Sequence, residues 1–247
     1  MGEIIYRLAS KAILRHSFRP DWLLPFQFGV RTEGGVEPVT RAIQRALGGS
    51  LGRSYTHLTS LDFTNAFNTV SRSDTAHAVR QHAPTLYRAS KWAYNQSSAL
   101  ILAGGQWTLS SAQGVRQGDP LGPLLFFLGP LLFSLGTRQL LDRLATFLGP
   151  ESLILAYLDD IYILGGPDTL ERIQSFMKSA QPSVSLNMAK SKIVSLEGAR
   201  KNGLEVLGTC LGPREARISF LLAKIEGEEH ILAGLYDLPH QHALLLL

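Results

Sequence analysis

The sequence predicts an α+β fold, on three observations. Helix-period and strand-period segments interleave along 247 residues without a strict βαβ rhythm. Apolar residues make up 45% of the chain and charged residues 18%. That is enough apolar material to bury a core, and too little net charge for intrinsic disorder. The single cysteine, Cys210, has no disulfide partner in the chain. It excludes both a disulfide scaffold and a cysteine-ligated zinc site, and it points to an intracellular protein.

The elements follow in order. Ile4, Ile5, Leu8, Ala12 and Ile13 set a helical period over 3–15. Residues 20–35 read as a loop, with Pro20, Pro25 and Gly34-Gly35. A second helix over 36–47 ends at Gly48-Gly49, a C-cap signal. Leu58 to Phe63 is a short strand, and Pro84 divides helices over 73–82 and 84–95. Leu100 to Leu109 reads as a hairpin turning at Gly104-Gly105. Residues 122–147 are mainly helical. Leu153 to Tyr157 and Ile161 to Leu164 are short apolar strands around Asp159-Asp160, followed by an amphipathic helix over 167–180. Ile193 to Leu196 and Val206 to Leu211 are further strands.

Residues 1–100 carry 12 Lys/Arg against 6 Asp/Glu, whereas residues 101–247 carry 12 against 14. A basic first part suits a polyanion partner, and equally an ordinary solvated surface. The N-terminus is charged throughout and lacks the apolar core of a signal peptide. The uncharged stretch Pro120 to Thr137 holds three prolines and three glycines. A buried helix entered through a loop explains it better than a membrane span, so no membrane is expected. Helical periodicity directly after Gly2, and an end inside the apolar run HALLLL, make both ends look cut.

Three segments bear chemistry. Asp159 and Asp160 stand side by side between two apolar strands. Two adjacent carboxylates repel each other and resist desolvation, so the tip of such a hairpin sits in water or holds a cation. A surface Asp-Asp turn is the plain alternative. Asp62 ends another strand, and it could instead be a helix N-cap. Two strand-borne acidic sites form a minimal oxygen set for two Mg²⁺ ions, which bind through few carboxylates plus substrate phosphates. The polar loop from Gln113 to Phe126 runs into an apolar helix, with glycines that allow close backbone approach to a ligand. It equally reads as a turn before a core helix.

The order of these residues resembles a known family. Asp62 with Phe67 comes first, then Gln117-Gly118 leading to Pro123, then Tyr157-Leu158-Asp159-Asp160, Leu186-Asn187 with Lys190, and Leu207-Gly208. The set is similar to the palm motifs of reverse transcriptases, most of all those of non-LTR (LINE-type) retrotransposons. Gly2 to Leu8 and Phe26-Gln27-Phe28-Gly29 resemble the fingers motifs of that group. Two positions depart from it: Gly122 stands where the family usually has Ser, and Leu158 where Ala is commoner.

The resemblance implies a right-hand polymerase fold truncated at both ends. Partial fingers would take 1–57, the palm 58–212 with a helical insertion at 73–110, and the start of a thumb 213–247. It implies an RNA-directed DNA polymerase that adds deoxynucleotides to a primer 3′-hydroxyl, in the nucleus and cytoplasm. Partners would be an RNA template, a DNA primer or nicked target DNA, and dNTPs. Asp62, Asp159 and Asp160 would carry two Mg²⁺ ions, with Mn²⁺ able to substitute. Phe67 would be an aromatic gate against a 2′-hydroxyl, or a core residue. Asn65 and Ala66 would offer backbone N–H groups to the triphosphate, with Gln117 and Gly118 near the incoming nucleotide. Lys190 would face the phosphates, or be a solvated surface lysine. Arg31 would contact phosphate, and Leu207-Gly208 would form the primer grip, or a plain strand turn. Two further readings compete: a catalytically silent remnant that at most binds nucleic acid, and a viral RNA-dependent RNA polymerase.

Overall fold

The computed structural model describes residue 8 and residues 12–30, 32–51, 55–102, 107–115 and 128–236. Gln117, Gly118, Gly122, Pro123 and Arg31 lie outside the described residues, as does the turn at Gly104-Gly105.

Helix α1 (Val36–Leu47) forms where the sequence places it. Its buried residues Val39, Ile43, Ala46 and Leu47 fall on one stripe at helical spacing. It ends at Gly48-Gly49, where Gly49 takes φ +70 and the Ser50 N–H closes on the Arg45 carbonyl. Strand β1 (His57–Leu61) is followed by a four-residue helix α2 (Ala66–Thr69), then α3 (Arg72–His82). Ser71 caps α3 by accepting from the Asp74 N–H at 3.1 Å. A 3₁₀ turn begun by Pro84 leads into α4 (Tyr87–Tyr94). Strands β2 (Ser98–Leu102) and β3 (Trp107–Ser111) form the expected hairpin.

The long apolar segment gives two helices, α5 (Leu128–Gly136) and α6 (Arg138–Leu148), broken at Thr137. Strands β4 (Leu153–Tyr157) and β5 (Asp160–Gly165) then pair, and α7 (Thr169–Ala180) follows. Strand β6 (Lys192–Ser195) ends at Ser195, which caps α8 (Leu196–Asn202). Leu196 therefore begins a helix rather than ending a strand. Its apolar side chain gave no sign of this, whereas the Ser195 hydroxyl accepting from the Gly198 N–H explains it. The expected strand from Val206 to Leu211 is a hairpin of β7 (Leu204–Val206) and β8 (Thr209–Leu211). The 23-residue helix α9 (Arg214–Tyr236) comes last.

Four strands form one antiparallel sheet in the order β4-β5-β1-β6. Because side chains alternate, each face has its own core. Leu61, Ile154, Ala156, Ile161 and Ile163 pack with α3, α5, α6 and α7 through Val79, Leu132, Leu144 and Ile173. Leu58, Leu155, Tyr162 and Leu164 pack instead with α1 and α8 through Val39, Ile43 and Ala199. Burial on both faces fixes the register, since a one-residue slip would exchange the two cores. Residues 26–28 join the outer edge of β4. The Phe28 N–H donates to the Ala156 carbonyl at 2.7 Å, and the Ala156 N–H donates to the Phe26 carbonyl at 2.8 Å.

Candidate active site

The sheet register assembles the acidic residues. Leu61 pairs with Ile161 across β1 and β5, so Asp62 follows β1 beside the start of β5, where Asp160 lies. Tyr157 pairs with Asp160, which leaves Leu158 and Asp159 as a two-residue turn. The tip therefore differs from the expected Asp-Asp turn: Asp160 is a strand residue. The residue at positive φ is Leu158, at φ +58.

Asp62 is held from the other side by the chain between Ser185 and Ser191. Its N–H donates to the Ser191 hydroxyl at 3.1 Å, and its carbonyl accepts from the Asn187 N–H at 2.8 Å. The same segment accepts the Thr64 N–H at the Ser185 carbonyl and bridges Phe63 to Leu186. Asp62 is not a helix N-cap. Asn65 holds that position for α2, in the left-handed region at φ 50, ψ 41.

The three carboxylates act on one another electrostatically. Burial raises the Asp159 carboxyl above its ordinary value, with the charge of Asp62 adding to the effect and a backbone hydrogen bond opposing it. Asp160 is pushed up to about 6, by desolvation first and then by the charges of Asp159 and Asp62. Such mutual repulsion is what a bound cation relieves. Among the described residues, no three His, Cys, Asp or Glu side chains form a ready-made metal cage. The donor set instead fits Mg²⁺ held by one or two carboxylates and completed by substrate oxygens and water.

A cavity of about 600 Å³ opens beside Asp160, lined by Tyr157, Tyr162, Lys190, Lys192, Leu207 and Gly208 among others. The turn of Asn187 to Ser191 brings Lys190 to it, through Lys190 and Ser191 N–H groups that both donate to the Asn187 carbonyl. Leu207 and Gly208 are the two central residues of the β7–β8 hairpin, at φ +47 and +74, as a two-residue turn of this hand requires. The Leu207 N–H donates to the Tyr162 hydroxyl at 3.2 Å, which ties this hairpin to β5 two residues beyond Asp160.

Phe67 is 7% exposed and stacks on Phe133, with ring centroids 4.4 Å apart. Ala66 is buried beside it, and the Asn65 side chain accepts from the Asn68 amide. Sequence reasoning missed Ser191, which is buried and bonded to Asp62, and Gln27, which lies against the Leu158 turn. The signal for Gln27 was a polar side chain between two phenylalanines at a strand-like spacing. Ser191 carried no signal of its own.

An antiparallel sheet, helices backing it and carboxylates at neighbouring strand ends define a polymerase palm-like α+β domain. A family model described as reverse transcriptase (RNA-dependent DNA polymerase) matches residues 2–211, and the chain belongs to that family. It is 32% identical over 189 residues to the retrotransposable element SLACS 132 kDa protein of Trypanosoma brucei gambiense, across 70% of this chain and 14% of that protein. It is 30% identical over 125 residues to the retrovirus-related Pol polyprotein from type-1 retrotransposable element R2 of Nasonia vitripennis, across 48% of this chain and 12% of that one. The chain thus spans a small part of these relatives. The fold is shared with apo telomerase from Candida tropicalis, at TM-score 0.57 and 13% identity over 85% of this chain and 38% of that one. Telomerase from Candida albicans in complex with a telomeric RNA fragment gives TM-score 0.55 and 11% identity, over 84% and 36%.

Proposed function

We propose that this chain carries the nucleotidyl-transfer centre of an RNA-directed DNA polymerase that acts in retrotransposition, in the nucleus and cytoplasm. The observation that supports it best is the convergence of Asp62, Asp159 and Asp160, each within electrostatic reach of the others. Asp62 and Asp159 are the main metal ligands in this reading, with Asp160 beside them. Two Mg²⁺ ions bound there would lower the pKa of the primer 3′-hydroxyl and neutralise charge on the departing pyrophosphate.

The chain's own residues supply the rest. The β1 and β5 strand ends hold the carboxylates at fixed spacing, so little reorganisation is needed when charge develops. Lys190, on the cavity wall that Asp160 shares, faces the triphosphate and offsets its charge. Asn65 and Ala66 offer backbone N–H groups to the phosphates, and Gln117-Gly118 flank the incoming nucleotide. Phe67 discriminates against a 2′-hydroxyl, and Leu207-Gly208 support the primer end. Residues 1–57 act as part of the fingers, 58–212 as the palm and 213–247 as the start of the thumb. Basic residues before position 100 follow the RNA template and the DNA primer by phosphate contacts, so binding weakens steeply with salt.

Primer extension on an RNA template tests this, with dNTPs, Mg²⁺ and the Asp159→Asn variant, which removes the charge and keeps the shape. Extension by the parent chain and its loss in the variant are expected. Extension that survives Asp159→Asn would overturn the assignment. Preference for NTPs over dNTPs would favour an RNA polymerase.

A further inference from the structure

Gln27 is a polar side chain, 6% exposed, on the segment that lies along the outer edge of β4. Its amide bonds both backbone groups of Leu158 and one of Gly29. The Leu158 N–H donates to Gln27 Oε1 at 2.9 Å, and Gln27 Nε2 donates to the Leu158 carbonyl at 3.4 Å. The Gly29 N–H also donates to Oε1, at 3.0 Å. Two N–H donors on one oxygen and a carbonyl before the nitrogen fix the orientation of the amide. A reversed amide would set N–H against N–H.

The backbone unit so gripped is an unusual one. Leu158 holds the left-handed conformation at φ +58, which L-residues with a Cβ adopt reluctantly. It is also the residue immediately before Asp159. Gly29 completes the grip by close approach, because a Cβ built there would fall 2.5 Å from the Leu158 nitrogen. A buried amide kept only for packing could be satisfied by any strand backbone. This one is placed where the chain must be held in a disfavoured turn.

We propose that Gln27 is a positioning residue for the metal centre: its amide locks the Leu158 turn and thereby sets the direction of the Asp159 carboxylate. The inference rests on the metal-binding reading of Asp62 and Asp159. Gln27 does not touch substrate or metal; it acts through the backbone of Leu158.

The test uses Gln27→Met, which keeps shape and removes all three hydrogen bonds of the amide, with Mn²⁺ as the probe. Amide hydrogen exchange at Leu158 reports the grip directly, and Mn²⁺ titration by electron paramagnetic resonance reports the carboxylates. Exchange at Leu158 should quicken at least about tenfold while the core strands stay protected. Mn²⁺ affinity should fall about tenfold or more, the usual consequence of losing a partner that orients a ligand. In a Leu158→Gly background, where glycine takes the left-handed turn freely, the same substitution should cost less than about threefold. A merely structural role would lower Tm without that rescue, and additive effects in the two backgrounds would overturn the proposal. If Gln27→Met does not fold, Gln27→Glu carries the test, since it keeps the acceptor and loses the Nε2 donor. A parent chain that takes up Mn²⁺, with a variant unchanged in exchange and affinity, overturns the grip alone. A parent chain that takes up no Mn²⁺ overturns the metal-centre reading as well.

Discussion

At the scale of the residue, Asp160 is the carboxylate most affected by its neighbours. Its pKa of about 6 means that the folded chain holds this proton more tightly than the unfolded chain, whose carboxyl has the ordinary value of 3.8. The group's contribution to stability is therefore present at low pH and is lost as pH rises through about 6. In metal-free solution the Tm should fall between about pH 4 and about pH 6, and Asp160→Asn should remove much of that slope. A parent and variant with parallel Tm profiles would show that the carboxylates do not crowd one another. Phe67 gives a second prediction. Its buried ring on Phe133 makes Phe67→Ala cost about 3–5 kcal/mol in urea unfolding, typical of a large core deletion. The milder Phe67→Val tests the gate: ribonucleotide incorporation should rise relative to deoxynucleotide. Unchanged discrimination would leave Phe67 as a packing residue alone.

At the scale of the element, short segments fix the site more than long ones. Gly114 and Val115 dock on α2 through N–H groups that donate to the Val70 and Phe67 carbonyls at 3.0 and 2.7 Å. The Arg72 Nε donates to the Gly114 carbonyl at 2.9 Å. Gly114 sits at φ +72, and a Cβ there would lie 2.5 Å from the Asn68 Cα. Gly114→Ala should destabilise by about 1–3 kcal/mol, read by denaturant titration, because backbone cannot yield as a flexible side chain can. A neutral result would mean that this segment is free to move off α2. Such docking was not legible in the sequence. The strands themselves were, since β4 and β5 announce themselves by apolar runs around two aspartates. So was α1, whose apolar stripe and glycine pair mark both its face and its end. Helix α8 was not legible, because its signal is one serine cap ahead of a segment that contains a glycine. Leu158 departs from the family pattern, where Ala is commoner, whereas its consequence lies in a backbone angle that no residue type reveals.

At the scale of the whole molecule, the sheet brings together what the sequence keeps nearly a hundred residues apart. The pairing of Asp62 with the Asp159-Asp160 hairpin followed from motif order, and the register of β1 on β5 accounts for it physically. The support behind Asp62 and Leu158, from Ser191 and Gln27, depends on side chains meeting across 129 and 131 positions. Local pattern marks Gln27 as a polar residue between two phenylalanines but carries no trace of either residue's partner. No described helix is long and apolar enough to cross a membrane. Helix α9 does present Ile218, Leu221, Leu222 and Ile225 to solvent, at 44–60% exposure. Exposed apolar faces of this kind drive association. Leu221→Lys with Leu222→Glu should raise the monomer fraction in light scattering and leave Tm nearly unchanged. A large fall in Tm would show that this face is packed in solution.

The central claim is that Asp62, Asp159 and Asp160 form one metal centre. A Mn²⁺ titration by electron paramagnetic resonance, with RNA template, DNA primer and a non-hydrolysable dNTP, tests it most directly. Two bound ions per chain are expected, falling to one or none in Asp159→Asn. No bound ions in the parent chain, or two that survive the substitution, would contradict it.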